Sequence, residues 1–131
     1  MSSRPSLIVA AEDRERLLRL VLHSGSEISE KLEAELDRAK VVPLAEVPPD
    51  VVVMDSELEY EDAATGRRRQ VRLVYPNDAD AATGKVSVLA PLGCALLGLR
   101  IGQEIDWEMP GGSRSLRIVS VRREGEAQKS A

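Results

Sequence analysis

The single histidine, His23, and the single cysteine, Cys94, are the first residues to consider as a catalytic base and a nucleophile. Either would need a partner, because a nucleophile, its base and an orienting group act as a hydrogen-bonded set. His23 instead ends a helical segment, where a cation interacts favourably with the helix dipole. Cys94 lies among apolar residues, where a thiol behaves as a small hydrophobic side chain. The sequence therefore predicts no catalytic residue.

Carboxylates that could bind a metal ion occur in two places. Four of them alternate along one predicted strand: Asp55, Glu57, Glu59 and Glu61. The ligands of a divalent cation must converge on one point, but these side chains project in a row with arginines opposite, which indicates a solvated face. Asp78 and Asp80 lie in a loop, where they could meet a divalent ion or a basic partner surface. We favour the partner and predict no metal site.

The only basic run is Arg67-Arg68-Arg69, at the start of a strand that returns from the acidic one. If this hairpin closes symmetrically, Glu61 faces Arg68 and Glu57 faces Arg72. Such pairs contribute a few tenths to about 1 kcal/mol each. The pairing explains both charge runs, and we interpret the basic run as a solvated strand end.

Helices are predicted in the first third of the chain. Residues 12–23 place apolar side chains at helical spacing among charged ones. Gly25 can end this helix in the left-handed conformation, and Ser26 can cap a second helix at about 27–40. The apolar residues expected to pack across this antiparallel hairpin are Leu17, Leu20, Val21, Ile28, Leu32 and Leu36.

Prolines at 43, 48 and 49 mark residues 41–50 as a linker, because proline has no amide donor and disfavours helix before it. Beyond the linker the apolar period shortens to about 2 residues, which predicts strands. Their ranges are 52–61, 67–75, 85–89, 104–109 and 114–123, with a short helix at 90–99. The predicted fold class is α+β: a helical hairpin (domain 1–45) followed by a four-to-five-stranded antiparallel sheet domain (50–125).

Composition limits the functional classes. With 43% hydrophobic and 31% charged residues, the 131-residue chain is typical of a folded globular protein. Its net charge of −4 argues against direct binding of nucleic acid, whose affinity depends on phosphate contacts. No apolar run approaches the roughly 20 residues that span a bilayer. A single cysteine suits a reducing compartment, so we expect a cytoplasmic protein that binds another protein and no membrane.

Several segments resemble one known family along nearly the whole chain. They are LVYPNDAD at 73–80 and VSVLAPLGCALLGLRIGQEIDWEMPGG at 86–112, with RPSLIVAAEDRERL, ELDRAKVVP and PPDVVVMDSELEY before them. The sequence is similar to the GreA/GreB transcription elongation factors, and within that family to the Rnk branch, the regulators of nucleoside diphosphate kinase.

This resemblance implies an FKBP-like C-terminal domain that binds the rim of the RNA polymerase secondary channel, and an N-terminal coiled coil that points into the channel. In cleavage-stimulating Gre factors, acidic residues at the coiled-coil tip help to hold a catalytic metal. The helices predicted here extend only about 20 Å at 1.5 Å per residue. The resemblance therefore implies a regulator that competes with Gre factors without stimulating cleavage, with no enzymatic activity, cofactor or small-molecule substrate.

The docking motif of Gre factors reads roughly S-P-I/L-A/G after a strand, and it stands here as Ala90-Pro91-Leu92-Gly93, preceded by Leu89. The resemblance implies that these residues and Asp78 contact polymerase. Alanine replaces the serine of the motif, and Leu89 replaces the acidic or polar residue usual before it, so the contact is more apolar. Alternatively, Pro91 only starts a helix whose leucines fill the core.

Two other functions fit parts of the sequence. FKBP-like domains elsewhere are prolyl isomerases, but their pocket is walled by several aromatic rings, and this chain has one tryptophan, two tyrosines and no phenylalanine. A general protein-interaction adaptor would keep the hairpin and the sheet while giving no role to APLGCALLG. Binding to core RNA polymerase distinguishes the adaptor from the polymerase regulator.

Overall fold

The computed structural model describes residues 7–109 and 112–123, without the side chains of 107–109. The chain forms two compact units that meet in sequence between Pro48 and Pro49. Among the described residues, no helix has the length and apolar character needed to cross a membrane.

The N-terminal unit contains two helices and two short strands, β1 Ile8–Ala10, α1 Ala11–Ser24, α2 Glu27–Arg38 and β2 Lys40–Val42. Gly25 adopts φ +69° and ends α1. Ser26 caps α2, because its side chain accepts a hydrogen bond from the Ser29 amide at 3.1 Å. The sequence predicts both devices, and both are confirmed.

The two helices contact each other, and most of the apolar residues predicted to lie between them are buried. Leu17, Leu32 and Leu36 are fully buried, and Val21 is nearly so. The remaining two predicted positions, Leu20 and Ile28, are half-buried. The buried positions of the two helices are therefore mainly leucine, and Val9, Ala10 and Val47 add further buried apolar side chains to this unit.

Strands β1 and β2 pair in parallel, with Ile8 beside Lys40 and Ala10 beside Val42. Their periodicity does not predict them, because three residues are too few to show an alternating pattern. β2 lies at the start of the segment predicted as the linker, so the linker prediction is wrong for residues 41–42.

The C-terminal unit is a five-stranded sheet in the order β5-β4-β3-β7-β6. Its strands are β3 Glu57–Asp62, β4 Arg68–Val74, β5 Lys85–Ser87, β6 Glu104–Met109 and β7 Gly112–Arg122. Neighbouring strands are antiparallel except β4 and β5. The prediction of a wholly antiparallel sheet is thus wrong for β5. Residues 75–84 carry the chain back along β4, so that Lys85 pairs with Arg72 and β5 runs in the same direction.

The predicted register of the acidic strand is confirmed, since Glu61 faces Arg68 and Glu57 faces Arg72 across β3 and β4. The shortest ion pairs nevertheless run to the other neighbour, β7. Glu61 lies 2.8 Å from Arg117 but 4.0 Å from Arg68. β3 is an inner strand, so arginines on both sides compete for its carboxylates.

The strand predicted at 52–61 begins only at Glu57. Residues 51–54 are all buried, so the alternation expected of a half-buried strand does not apply to them. The Val52 amide donates to the Leu99 carbonyl at 2.8 Å. Asp55 then adopts φ +65° and turns the chain into β3.

The helix of this unit, α3, spans Pro91–Leu96 and is shorter than the predicted 90–99. It ends because Leu97 is extended and Gly98 adopts φ +84°. α3 contacts β5 and β6. The largest fully buried side chains of the unit include Leu58, Leu73, Leu96, Leu97, Leu99, Leu116 and Ile118.

Candidate functional site

The connection between β5 and α3 is a tight turn organised by Ser87. The Ser87 hydroxyl accepts from the Leu89 amide at 3.0 Å, and its carbonyl accepts from the Ala90 amide at 2.9 Å. Between them, Val88 is fully buried and its amide donates to the Val74 carbonyl at 2.9 Å. Residues 89–92, hereafter the apolar turn, are therefore fixed to the end of β4.

Gly93 lets α3 lie directly against β5. A Cβ atom at Gly93 would be 2.0 Å from the Ser87 carbonyl oxygen, far inside van der Waals contact. The backbones can approach this closely only because glycine lacks the atom. Gly93 itself is buried, so this predicted site residue shapes the turn and presents no side chain.

The apolar turn is accessible to solvent. Pro91 is exposed, while Leu89, Ala90 and Leu92 are half-buried. Farther along the chain, Leu96 and Leu97 are fully buried. The sequence leaves two alternatives for this segment, a surface for a partner or a helix that fills the core. Each applies to a different part of it. The first residues are accessible at the surface, and the later leucines fill the core.

Asp78 lies outside this turn, in a short 3₁₀ turn that spans Pro76–Asp78. Its amide donates to the Tyr75 carbonyl at 2.9 Å, and its side chain is exposed. Among the described residues, the Asp78 carboxylate has no hydrogen bond or ion pair, and none joins it to the apolar turn.

The residues considered for catalysis occupy structural positions. The Nδ1 atom of His23 lies 2.8 Å from the Arg19 carbonyl one turn earlier in α1. Cys94 is buried on α3. In the described parts of the chain, no three acidic, histidine or cysteine side chains are grouped as metal ligands.

Comparison with known proteins places the chain in a family. A model of the GreA/GreB C-terminal domain matches residues 47–123, and a model of the Rnk N-terminus matches residues 5–42. The chain belongs to the GreA/GreB transcription elongation factor family. Its N-terminal match assigns it to the Rnk branch of that family.

Individual relatives agree with this assignment. The regulator of nucleoside diphosphate kinase of Escherichia coli (strain K12) is 40% identical over 129 residues, 95% of this chain and 95% of the relative. Transcription elongation factor GreA of Nitratidesulfovibrio vulgaris is 30% identical over 135 residues, 95% of this chain and 84% of the relative. A solved GreA/GreB factor from Nitrosomonas europaea superposes with a TM-score of 0.80 at 42% identity, covering 91% of this chain and 99% of that one.

One departure from the Gre motif has a local structural consequence. Ala90, which replaces the motif serine, is the N-cap of α3, and no side-chain hydrogen bond caps the helix. A serine hydroxyl at an N-cap can accept from an amide of the first turn. In this Rnk-branch protein the turn therefore presents a methyl group where the motif has a hydroxyl.

Ser87 organises the turn, although the strand and helix patterns of the sequence do not single it out. Its hydroxyl bonds to the amide two residues later, which is the pattern of a serine-threonine turn. A serine placed shortly before Ala-Pro at the end of a strand was the available signal. The carbonyl contact with Gly93 had no such signal, since it depends on how α3 folds back.

Proposed function

We propose that this protein is a cytoplasmic, non-enzymatic transcription regulator that docks at the rim of the RNA polymerase secondary channel. There it competes with Gre factors without stimulating transcript cleavage. Because the chain is similar to the E. coli regulator of nucleoside diphosphate kinase, the proposal includes regulation of that kinase. Membership of the GreA/GreB family supports the choice of RNA polymerase as the partner.

The observation that carries the docking proposal is the rigid apolar turn. Its accessible residues are hydrophobic, and hydrogen bonds to Ser87 and β4 hold its backbone in place. A partner that binds a preorganised turn loses less conformational entropy than one that must order a loop. Leu89, Ala90, Pro91 and Leu92 would supply apolar contact, and Gly93 would set their position.

In this proposal Asp78, which lies outside the apolar turn, would add a charged contact with polymerase. Its carboxylate is exposed and has no described partner, so it is available to a basic group on polymerase. In this proposal residues 50–125 act as an FKBP-like docking domain, and residues 1–45 act as a separate short coiled coil.

The absence of cleavage stimulation would follow from the length of the helices. α1 has 14 residues and α2 has 12, which correspond to about 21 Å and 18 Å at 1.5 Å per residue. A Gre-type mechanism needs a longer arm that brings carboxylates to the polymerase active site. This hairpin would occupy the channel entrance only.

An FKBP-type prolyl isomerase is not part of the proposal. Such a pocket needs aromatic rings that are open to the substrate, but Tyr60 and Tyr75 are 6% and 7% exposed. Both tyrosine rings are thus largely covered by the protein itself and offer little aromatic surface to a substrate.

Charge introduced into the apolar turn tests the docking site. Leu89→Asp or Ala90→Arg should weaken binding to core RNA polymerase about tenfold to a hundredfold, because an unpaired charge becomes desolvated at the interface. Both side chains are half-buried at the surface, so thermal stability should change little. Binding is measured with immobilised core enzyme, and melting is followed by circular dichroism.

Matched controls place the same charges elsewhere in the C-terminal unit. Ile101→Asp changes an aliphatic residue that is 44% exposed, and Ala82→Arg changes an exposed alanine. Both controls should bind polymerase like the unmodified protein. Normal binding by folded turn variants would mean that the contact lies elsewhere, and unfolding of both would show that the turn is core. A folded parent protein that does not bind polymerase would leave the general adaptor as the better function.

A further inference from the structure

An arginine-lined cavity of about 950 Å³ lies at one end of the C-terminal sheet, and we call it the arginine cavity. Its lining residues are Tyr60, Asp62, Thr65, Arg67, Arg68, Arg69, Leu92, Arg114 and Leu116. The lining thus contains four arginines and a single carboxylate. The net charge of the whole protein is −4. The local charge of the cavity is opposite to that of the whole molecule.

The strand register places some of these arginines on the core-facing side of the sheet. Paired residues of neighbouring strands share a face, and every second residue of a strand returns to it. Arg69 pairs with Tyr60, which is buried, and Val71, two residues later, is buried as well. Arg69 therefore lies on the core-facing side of β4, next to the buried residues but outside the apolar core. Cations at such positions need a reason, because apolar residues would extend the core.

The one carboxylate in the cavity, that of Asp62, already has hydrogen-bond partners within the protein. Asp62 is 5% exposed, and its two oxygens accept from the Arg114 guanidinium at 2.9 Å and from the Ala64 amide at 2.8 Å. Arg68 has Glu61 at 4.0 Å. Arg67 and Arg69 are exposed, and within the described residues neither guanidinium has a hydrogen bond or ion pair. Two arginines are thus available to an external anion.

We propose that the arginine cavity binds an acidic, extended peptide segment of a protein partner. Carboxylates of the segment pair with Arg67 and Arg69, and an apolar side chain lies against Leu92. Guanidinium groups match carboxylates in bidentate geometry. Because Arg67 and Arg69 are two residues apart, they are separated by about 7 Å along an extended chain, the spacing of alternate residues on one side of a bound strand.

The lining favours a peptide over a nucleotide. A nucleobase is usually held by stacking on an exposed aromatic face, but Tyr60 is the one aromatic residue among those that line the cavity, and it is 6% exposed. Leu92 offers an apolar contact that a polyphosphate would not use.

The test uses the full chain and a fluorescein-labelled peptide made of repeated Glu-Leu-Glu-Ser, with binding followed by anisotropy at low salt. Arg67→Glu combined with Arg69→Glu should weaken binding at least about tenfold, since two charge-assisted contacts are lost. The control, Lys85→Glu combined with Arg100→Glu, makes the same charge change at two exposed cations of the same unit and should bind within about twofold of the parent. Arg67→Gln with Arg69→Gln serves as the second variant if charge reversal prevents folding.

Several results would overturn the inference. The first is that the unmodified protein does not bind the peptide. The second is that the cavity variant and the control lose the same affinity. The third is that a peptide with Gln in place of Glu binds as tightly as the Glu peptide. Stronger competition by inorganic tripolyphosphate or by a single-stranded RNA oligomer would assign the cavity to another class of ligand. The assay contains no polymerase, so its outcome is independent of the proposed docking at the apolar turn.

Discussion

Gly93 determines the shape of the apolar turn at the residue scale. Gly93→Ala should lower the free energy of unfolding by about 3 kcal/mol, because the new methyl group would be 2.0 Å from the Ser87 carbonyl oxygen and the backbone would have to move. Denaturant unfolding followed by fluorescence measures this change, since the single tryptophan belongs to the C-terminal unit.

Gly102→Ala is the matched control. Gly102 has φ +87°, but a Cβ atom there would meet nothing within 4 Å. This variant should cost about 1 kcal/mol from backbone strain alone. Equal losses of unfolding free energy in the two variants would show that the close approach of α3 to β5 does not make Gly93→Ala more destabilising.

Individual residues also show how far sequence could predict the candidate site. The Ala-Pro-Leu-Gly motif located the turn, because a proline that starts a helix after a strand is a local feature. The role of Gly93 was hidden, since its contact with Ser87 forms only after α3 packs. The spacing of Arg69 from Val71 indicates that Arg69 lies on the core-facing side of its strand. The interpretation of the basic run as a solvated strand end treated Arg69 in the same way as Arg68, which points outward.

At the scale of elements, Leu32 tests the packing of the helical hairpin. Leu32 is fully buried in the N-terminal unit. Leu32→Ala should cost about 2–4 kcal/mol, because it leaves a cavity between the helices. Far-ultraviolet circular dichroism, which is dominated by helix, follows the unfolding of this unit in denaturant.

Leu22→Ala is the control for this measurement, since Leu22 lies on α1 but is 73% exposed. It should change stability by less than about 0.5 kcal/mol. A similarly small change for Leu32→Ala would mean that α1 and α2 do not pack through this residue.

The elements that sequence predicted are those whose signals are local. α1, α2 and the β3–β4 hairpin have clear periodicity, a glycine stop or a capping serine, and charges that match across strands. β1 and β2 are too short for periodicity, and the parallel pairing of β5 depends on the path of residues 75–84. Residues 52–54 were mistaken for the start of a half-buried strand because Val52 and Met54 keep the alternate spacing of Leu58 and Tyr60, although Val53 between them is buried as well.

At the scale of the whole molecule, family membership, an accessible apolar turn and short helices support the same activity. That proposed activity is occupation of the Gre site on polymerase without the chemistry of a Gre factor. The binding surface and the length of the hairpin contribute separately to it. A single assay should therefore report both binding and the absence of cleavage.

The most direct test measures RNA cleavage in a backtracked transcription complex, with a GreA-type factor held constant and this protein titrated. Alone, the protein should leave the transcript uncut. In the presence of the GreA-type factor, it should reduce cleavage in proportion to its occupancy of polymerase, and Leu89→Asp should reduce it less. Shortening of the RNA by this protein alone, or undiminished GreA-dependent cleavage when the protein saturates polymerase, would contradict the proposed function.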